Sequence, residues 1–362
     1  MRQILLFFLL PLGLWAQTEA DSTLTQEELH FRDSIAALNV ANEQTQLLQE
    51  TYNQAATYFS EGQFAQAVHN YTQVIGMDSI YADAYFNRGL AHKEQQQYAL
   101  AIADLNQTFA LDSTQTEALF QIAKCWYAKE DYSASIEAYR LVLSLDANRA
   151  EAAYEQGVIQ YLQKNYEAAI TAFTQAIAIN PKYTYALNDR GSCHRALGNY
   201  PKAISDYEAA IAHEPHAFIY NNLGSAYNRS GDKSSALKAY NGAIGKDGSY
   251  AMAYNNRGAL HYEQENYTKA LGDFEKSLTL NPNYALAMCN RAAVFQLQEH
   301  YTGALGDLNK ADKLQANNAT ILLNRGIVKE MLRDVDGACE DWQKAGELGL
   351  ERGREYYINN CE

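Results

Sequence analysis

The sequence predicts an all-α protein: a solenoid of nine helical hairpins closed by a C-terminal capping helix. Three observations carry that expectation. Glycines at 89, 157, 191, 224, 258 and 326 are spaced by 68, 34, 33, 34 and 68 residues, so the chain repeats every 34 residues with one deletion near His216. Small residues occupy two fixed points of each period, which lets paired helices approach closely because interaxial distance follows side-chain size. Only 5 prolines occur in 362 residues, leaving room for long uninterrupted helices.

Taken in order, residues 1–16 read MRQILLFFLLPLGLWA. One basic residue before a short apolar run fits a secretory signal peptide with cleavage after Ala16; the alternative is an uncleaved anchor. No cysteine follows the cleavage region to carry a lipid, and no later segment is apolar enough to span a bilayer. The mature chain, with no transmembrane segment, is expected in the periplasm, at the outer-membrane periphery or secreted. Residues 17–47 form a helical arm, with Leu29, Ile35, Leu38, Leu47 and Leu48 as candidate contacts. The nine units follow at 48–81, 82–115, 116–149, 150–183, 184–216, 217–250, 251–284, 285–318 and 319–350, and the cap is 351–362. A formal charge of −14 argues against nucleic acid and anionic membrane surfaces as partners.

Within a unit, position 8 is always Gly or Ala: Ala55, Gly89, Ala123, Gly157, Gly191, Gly224, Gly258, Ala292 and Gly326. Position 20 is Ala in every unit but the third, which has Ser135. Position 24 is large, as in Tyr71, Tyr139, Phe173, Tyr240, Phe274 and Trp342, and fills the space between hairpins. Position 17 is aromatic in seven units, Lys233 and Val335 being the exceptions. Pro181, Pro215 and Pro282 end second helices.

In these features the stretch from Leu48 to Leu350 resembles the tetratricopeptide repeat family, whose unit is a 34-residue helix–turn–helix. The resemblance implies a right-handed superhelix whose first helices line a concave groove, and a non-catalytic scaffold with a protein or peptide partner and no cofactor. The ending ACEDWQKAGELG with a near-terminal Cys is similar to the last repeat of exported members from Gram-negative bacteria.

The variations between units name the candidate site. Position 7 is Arg in Arg88, Arg190, Arg257, Arg291 and Arg325; position 23 of the same units is Asp104, Asp206, Asp273, Asp307 and Asp341, and neither occurs without the other. The co-occurrence predicts ion pairs inside each hairpin; the rival reading is a row of arginines for phosphate or carboxylate. Position 6 is Asn53, Asn87, Asn222, Asn256, Asn290 and Asn324, on the face shared with positions 2, 9 and 13. In the related superhelices such asparagines hold a peptide backbone, since a carboxamide both donates and accepts. Solvated groove asparagines are the plain alternative. Either way these side chains are expected to face solvent in an empty groove, with little effect on stability. Phe218, Met252 and Leu286 at position 2 would take ligand side chains, above small residues at position 9 (Ser192, Ser225, Ala259, Ala293). The earlier units instead carry Asp83, Glu117 and Glu151 at position 2, as groove acids or as favourable first-turn carboxylates.

Cys339 and Cys361 stand equally far from the turn at Leu350, so an antiparallel hairpin sets them opposite one another for a disulfide in an oxidising compartment. Cys125, Cys193 and Cys289 read as buried thiols. His92, His194 and His261 replace rings at position 11, and His213 with His216 is too sparse a set to hold a metal, so no metal site is expected. No phosphate-binding Gly loop, nucleophile elbow or metalloprotease helix is present, and the solenoid leaves little chain for an enzyme domain. A structural subunit of an envelope assembly, working through its convex face and termini, is the alternative function.

Overall fold

The computed structural model describes residues 25–362; the leader expected at 1–16 and the beginning of the arm, 17–24, lie outside them. Among the described residues there are nineteen helices and no strand. They fall into two compact units, one ending at Asp146 and the other beginning at Ala147. The first holds α1 (Gln26–Ser60), α2 (Phe64–Met77), α3 (Ala82–Glu94), α4 (Tyr98–Leu111), α5 (Thr116–Ala128) and α6 (Tyr132–Leu145). The second holds α7 (Ala150–Leu162), α8 (Tyr166–Ile179), α9 (Thr184–Ala196), α10 (Tyr200–His213), α11 (Ala217–Ser230), α12 (Lys233–Lys246) and α13 (Ala251–Glu263). It continues with α14 (Tyr267–Leu280), α15 (Ala285–Leu297), α16 (Tyr301–Leu314), α17 (Ala319–Met331), α18 (Val335–Glu347) and α19 (Glu351–Cys361). Within each unit every odd helix up to α17 pairs with the next as a hairpin, successive hairpins pack on one another, and α19 packs on α18.

Arm and first repeat helix are one continuous helix of 35 residues. A capping box starts it: the Glu28 amide donates to Thr25 Oγ1 (3.3 Å) and the Thr25 amide to Glu28 Oε2 (2.9 Å). Of the contacts expected on the arm, only Leu48 packs into the core, beside Tyr52, Tyr71 and Val74; Ile35, Leu38 and Leu47 are exposed, as is Phe31. The reason is reach: the second helix of the hairpin, α2, is only 14 residues long.

The two turns of the repeat have separate chemistry. Inside each hairpin, position 15 adopts the left-handed conformation in all nine units, at φ between 58° and 92°. Three are glycines; Gln96, Glu130, Lys164, Glu265, Glu299 and Arg333 adopt it despite their Cβ. The following amide reaches back five residues, as from Gln97 to the His92 carbonyl and from Asn266 to that of His261 (both 2.9 Å), which closes the first helix. Between hairpins, Asp78, Asp112, Asn180, Asp247 and Asn281 each accept from the amide two residues on, at 2.8–3.1 Å. Packing then explains position 8. A Cβ on Gly157 would lie 2.5 Å from the Phe173 ring, and one on Gly224 2.6 Å from that of Tyr240, so the position-24 ring lies directly on the first helix.

Candidate functional site

Each position-7 arginine forms a two-pronged clasp with its aspartate. Arg257 Nε donates to Asp273 Oδ2 at 2.8 Å and Nη2 to Oδ1 at 2.6 Å. The same fork joins Arg88 to Asp104, Arg190 to Asp206, Arg291 to Asp307 and Arg325 to Asp341, at 2.6–2.9 Å. All five carboxylates are buried. A third prong crosses to the preceding repeat: Nη1 of Arg88, Arg190 and Arg257 donates to Thr72, Thr174 and Asn241 at 3.1, 3.1 and 2.6 Å, and that of Arg325 to Asp312 at 2.8 Å. One planar guanidinium thus ties three helices. Hydrogen bonding to the aspartate raises the pKa of Arg88, Arg257, Arg291 and Arg325, burial opposing it. With their forks engaged, these arginines do not form an open anion site.

The position-6 asparagines require a correction. Four of them are not left to solvent: their amide donors tie a repeat to the one before it. In the first unit Asn87 Nδ2 donates to Tyr52 Oη at 2.8 Å. In the second, Asn222 donates to Asn188 (3.0 Å), Asn256 to Asn221 (2.9 Å) and Asn290 to Asn255 (2.9 Å). Those acceptors are position 5 of the preceding repeat, and Asn188, Asn221 and Asn255 are buried there. The same junction pairs Tyr154 Oη with Asp189 at 2.8 Å. Burial raises the Asp189 pKa, against the bonds from Tyr154 and Asn188. The residue at position 5 before Asn324 is Cys289, and Asn324 makes no such bond. Asn87, Asn222, Asn256 and Asn290 therefore hold neighbouring repeats together, which the expectation of side chains left to solvent did not foresee. The signal was present in the sequence, in the pairing of a polar position 5 with position 6 one unit later.

Beside this amide row runs an apolar edge. Met252, Leu286 and Tyr185 are 45%, 51% and 46% exposed. Phe218 is half-buried and stacks on the His216 ring at 5.3 Å, with Tyr185 parallel to both at 6.0 and 6.2 Å. His216, set aside as a metal ligand, is thus part of the edge. Small residues at position 9 let buried tyrosines reach the same face: Ser192 Oγ and Tyr207 Oη are 3.1 Å apart. At the opposite ends of α11 and α13 a cavity of about 430 Å³ is lined by Ser225, Asn228, Arg229, Tyr240, Asn256 and Glu263. The early acids have local partners, Asp83 accepting from Gln115 (3.1 Å) and Glu117 from Gln121 (2.6 Å).

At the end of the chain α19 lies on α18, with Tyr356 5.2 Å from Trp342. Cys339 and Cys361 meet there, Cα to Cα 5.8 Å. Cys125 and Cys193 are buried and Cys289 half-buried. His194 and His261 are buried, and burial lowers their pKa. No helix among the described residues is long and apolar enough to cross a membrane.

Family models described as tetratricopeptide repeat match residues 82–115, 116–149, 150–183, 188–251 and 251–284, and one described as TPR repeat matches 55–96. Among solved structures, a tetratricopeptide repeat protein from Parabacteroides merdae is 19% identical, covers 68% of this chain and 99% of its own, and has a TM-score of 0.56. The C-terminal part of a TPR repeat-containing protein from Cytophaga hutchinsonii is 18% identical over 66% of this chain and 98% of its own, with a TM-score of 0.56. The pilF protein of Pseudomonas aeruginosa is 21% identical over 58% of this chain and 97% of its own, with a TM-score of 0.52. Such identities speak for the fold alone. No curated protein matches the sequence.

Proposed function

Because the chain belongs to the tetratricopeptide repeat family, we propose that it is a non-catalytic interaction scaffold whose first-helix face, in the second unit, binds an extended segment of another protein. Its repeats support a protein-interaction role. The observation that carries the finer reading is the pairing of an amide row with a parallel apolar edge. The edge offers Tyr185, Phe218, Met252 and Leu286 at intervals of one repeat, and apolar side chains left this exposed contribute most when a partner covers them. Although the Asn222 and Asn290 donors are engaged between repeats, a carboxamide oxygen has two lone pairs, so the row retains acceptors for a ligand's backbone amides.

The leader-like first residues support export to the periplasm, the outer-membrane periphery or the medium. Intact-mass analysis of protein made by its own host should begin at Gln17; soluble protein beginning at Met1 would remove the compartment from the reading. For the groove, peptides selected on the intact protein should lose binding to the Met252→Ala/Leu286→Ala variant, whose changes lie on exposed side chains. Selected peptides that bind both proteins equally would move the function elsewhere. The exposed Phe31, Ile35 and Leu38 on α1 favour the second reading, a structural subunit docking through its N-terminal helix. Deleting residues 25–45 would then abolish assembly while leaving peptide binding intact.

A further inference from the structure

The five position-7 arginines all have carboxylate partners, but two other arginines on the first-helix face do not. Arg195 and Arg229, at the C-terminal ends of α9 and α11, have no carboxylate within ion-pair distance. Arg195 Nε is buried with no hydrogen-bond partner, while the guanidinium also hydrogen-bonds the Tyr207 phenol. Arg229 lines the cavity of about 430 Å³; at its wall burial and the Glu263 charge raise the Tyr240 pKa, and the charges of Arg195 and Arg229 oppose them. The cavity's one carboxylate, Glu263, is held by Lys233 Nζ at 3.3 Å. Asn228 Oδ1 is a buried acceptor without a donor. Arg195 is half-buried and Arg229 exposed; the half-buried cation without a counter-charge costs free energy that an incoming carboxylate recovers, and a guanidinium fork suits a carboxylate geometrically at both.

The position of the cations says how a ligand would present its acids. Arg195 stands at position 12 and Arg229 at position 13, so each is ten or eleven residues along its helix from position 2, roughly 15 Å at 1.5 Å per residue. Apolar edge and cations therefore lie on opposite sides of the amide row. An extended chain sends alternate side chains in opposite directions, so a segment lying along the row places one set on the apolar edge and the other toward the arginines. Resting on the reading that this face binds an extended segment, we infer that the bound segment alternates large apolar residues with Asp or Glu, the apolar side chains meeting Tyr185, Phe218 and Met252 and the side-chain carboxylates meeting Arg195 and Arg229. The Tyr240 and Ser225 hydroxyls add donors at the same place, and Asn228 Oδ1 accepts from the segment's backbone.

The test is selection from two random twelve-residue display libraries, one with a blocked and one with a free C-terminus, on the full protein and on Arg195→Gln/Arg229→Gln. Groove-dependent binders are those lost on Met252→Ala/Leu286→Ala. Among them, Asp and Glu should be enriched at alternate positions in both libraries, and the enrichment should vanish on the Gln variant. The tightest synthetic peptide should weaken roughly tenfold on that variant, as on losing a charge-assisted hydrogen bond. Groove-dependent binders without an acidic bias, or with a bias unchanged on the Gln variant, overturn this inference and leave the groove reading standing. The absence of groove-dependent binders overturns both. Enrichment only in the free-C-terminus library assigns the cations to a terminal carboxylate and overturns the side-chain assignment. Should the double variant unfold by circular dichroism, Arg229→Gln alone and a salt titration serve. Binding of the acidic peptide should then fall between 50 and 500 mM salt, values chosen to move the Debye length from about 14 to about 4 Å, whereas its Asn/Gln analogue should not respond; equal responses overturn the inference.

Discussion

The clasp between Arg257 and Asp273 offers a quantitative test of how the repeats are held. Removing one member of a fully buried pair costs about 3–5 kcal/mol, whereas an exposed pair contributes about 0.2–1 kcal/mol. This pair lies nearer the first limit: the Asp273 side chain is 10% exposed and that of Arg257 22%. Asp273→Ala leaves the guanidinium with Asn241 on the neighbouring repeat as its remaining side-chain partner. Arg257→Ala leaves a buried carboxylate without its fork. Each single change should cost about 2–3 kcal/mol and the double change little more, giving a coupling of about 1.5–2.5 kcal/mol. The measurement is urea unfolding followed by circular dichroism and fitted to a nearest-neighbour repeat model, because a solenoid need not unfold in two states. Lys233 with Glu263, at 3.3 Å and nearly half exposed on both sides, is the internal control and should couple by less than about 1 kcal/mol. Additivity within about 0.5 kcal/mol for Arg257 and Asp273 would show that the fork contributes no more than a surface pair.

Three further expectations concern other parts of the chain. Lys164→Gly and Glu265→Gly should each stabilise by about 0.5–1 kcal/mol, since both residues hold a left-handed conformation that glycine adopts freely; a loss in urea midpoint would contradict the turn argument. Burial lowers the His261 pKa below its ordinary 6.5. The unfolded chain therefore binds the proton more readily, and stability is full above about pH 6.5 and declines as pH falls below it. His261→Gln should flatten that decline, and an unchanged pH profile would refute the assignment. Cys361→Ser should destabilise the last hairpin by about 3 kcal/mol if the 22-residue loop from Cys339 is covalently closed, and non-reducing peptide mapping should find the linked pair in exported protein.

The sequence by itself determined the architecture. A period of 34, with Gly or Ala at position 8, a small residue at 20 and a large one at 24, leaves few other ways to pack, because these are local requirements repeated in register. Partners 16 residues apart inside one hairpin, such as Arg257 and Asp273, were legible for the same reason: both lie in one repeat and vary together. What crosses from one repeat to the next was decided only by tertiary structure. Position 6 of one unit and position 5 of the unit before it, as in Asn256 with Asn221, are 35 residues apart and belong to different hairpins. Their meeting depends on how the hairpins stack, which no single period of sequence expresses. The third prong of Arg257, the stacking of Tyr185, His216 and Phe218, and the lack of a carboxylate beside Arg195 and Arg229 belong to the same class. The length of α1 follows a related rule. Helical propensity carries it from Gln26 to Ser60, but a 14-residue α2 can cover only its C-terminal part, so burial on that helix is set by its neighbour and not by its own apolar pattern.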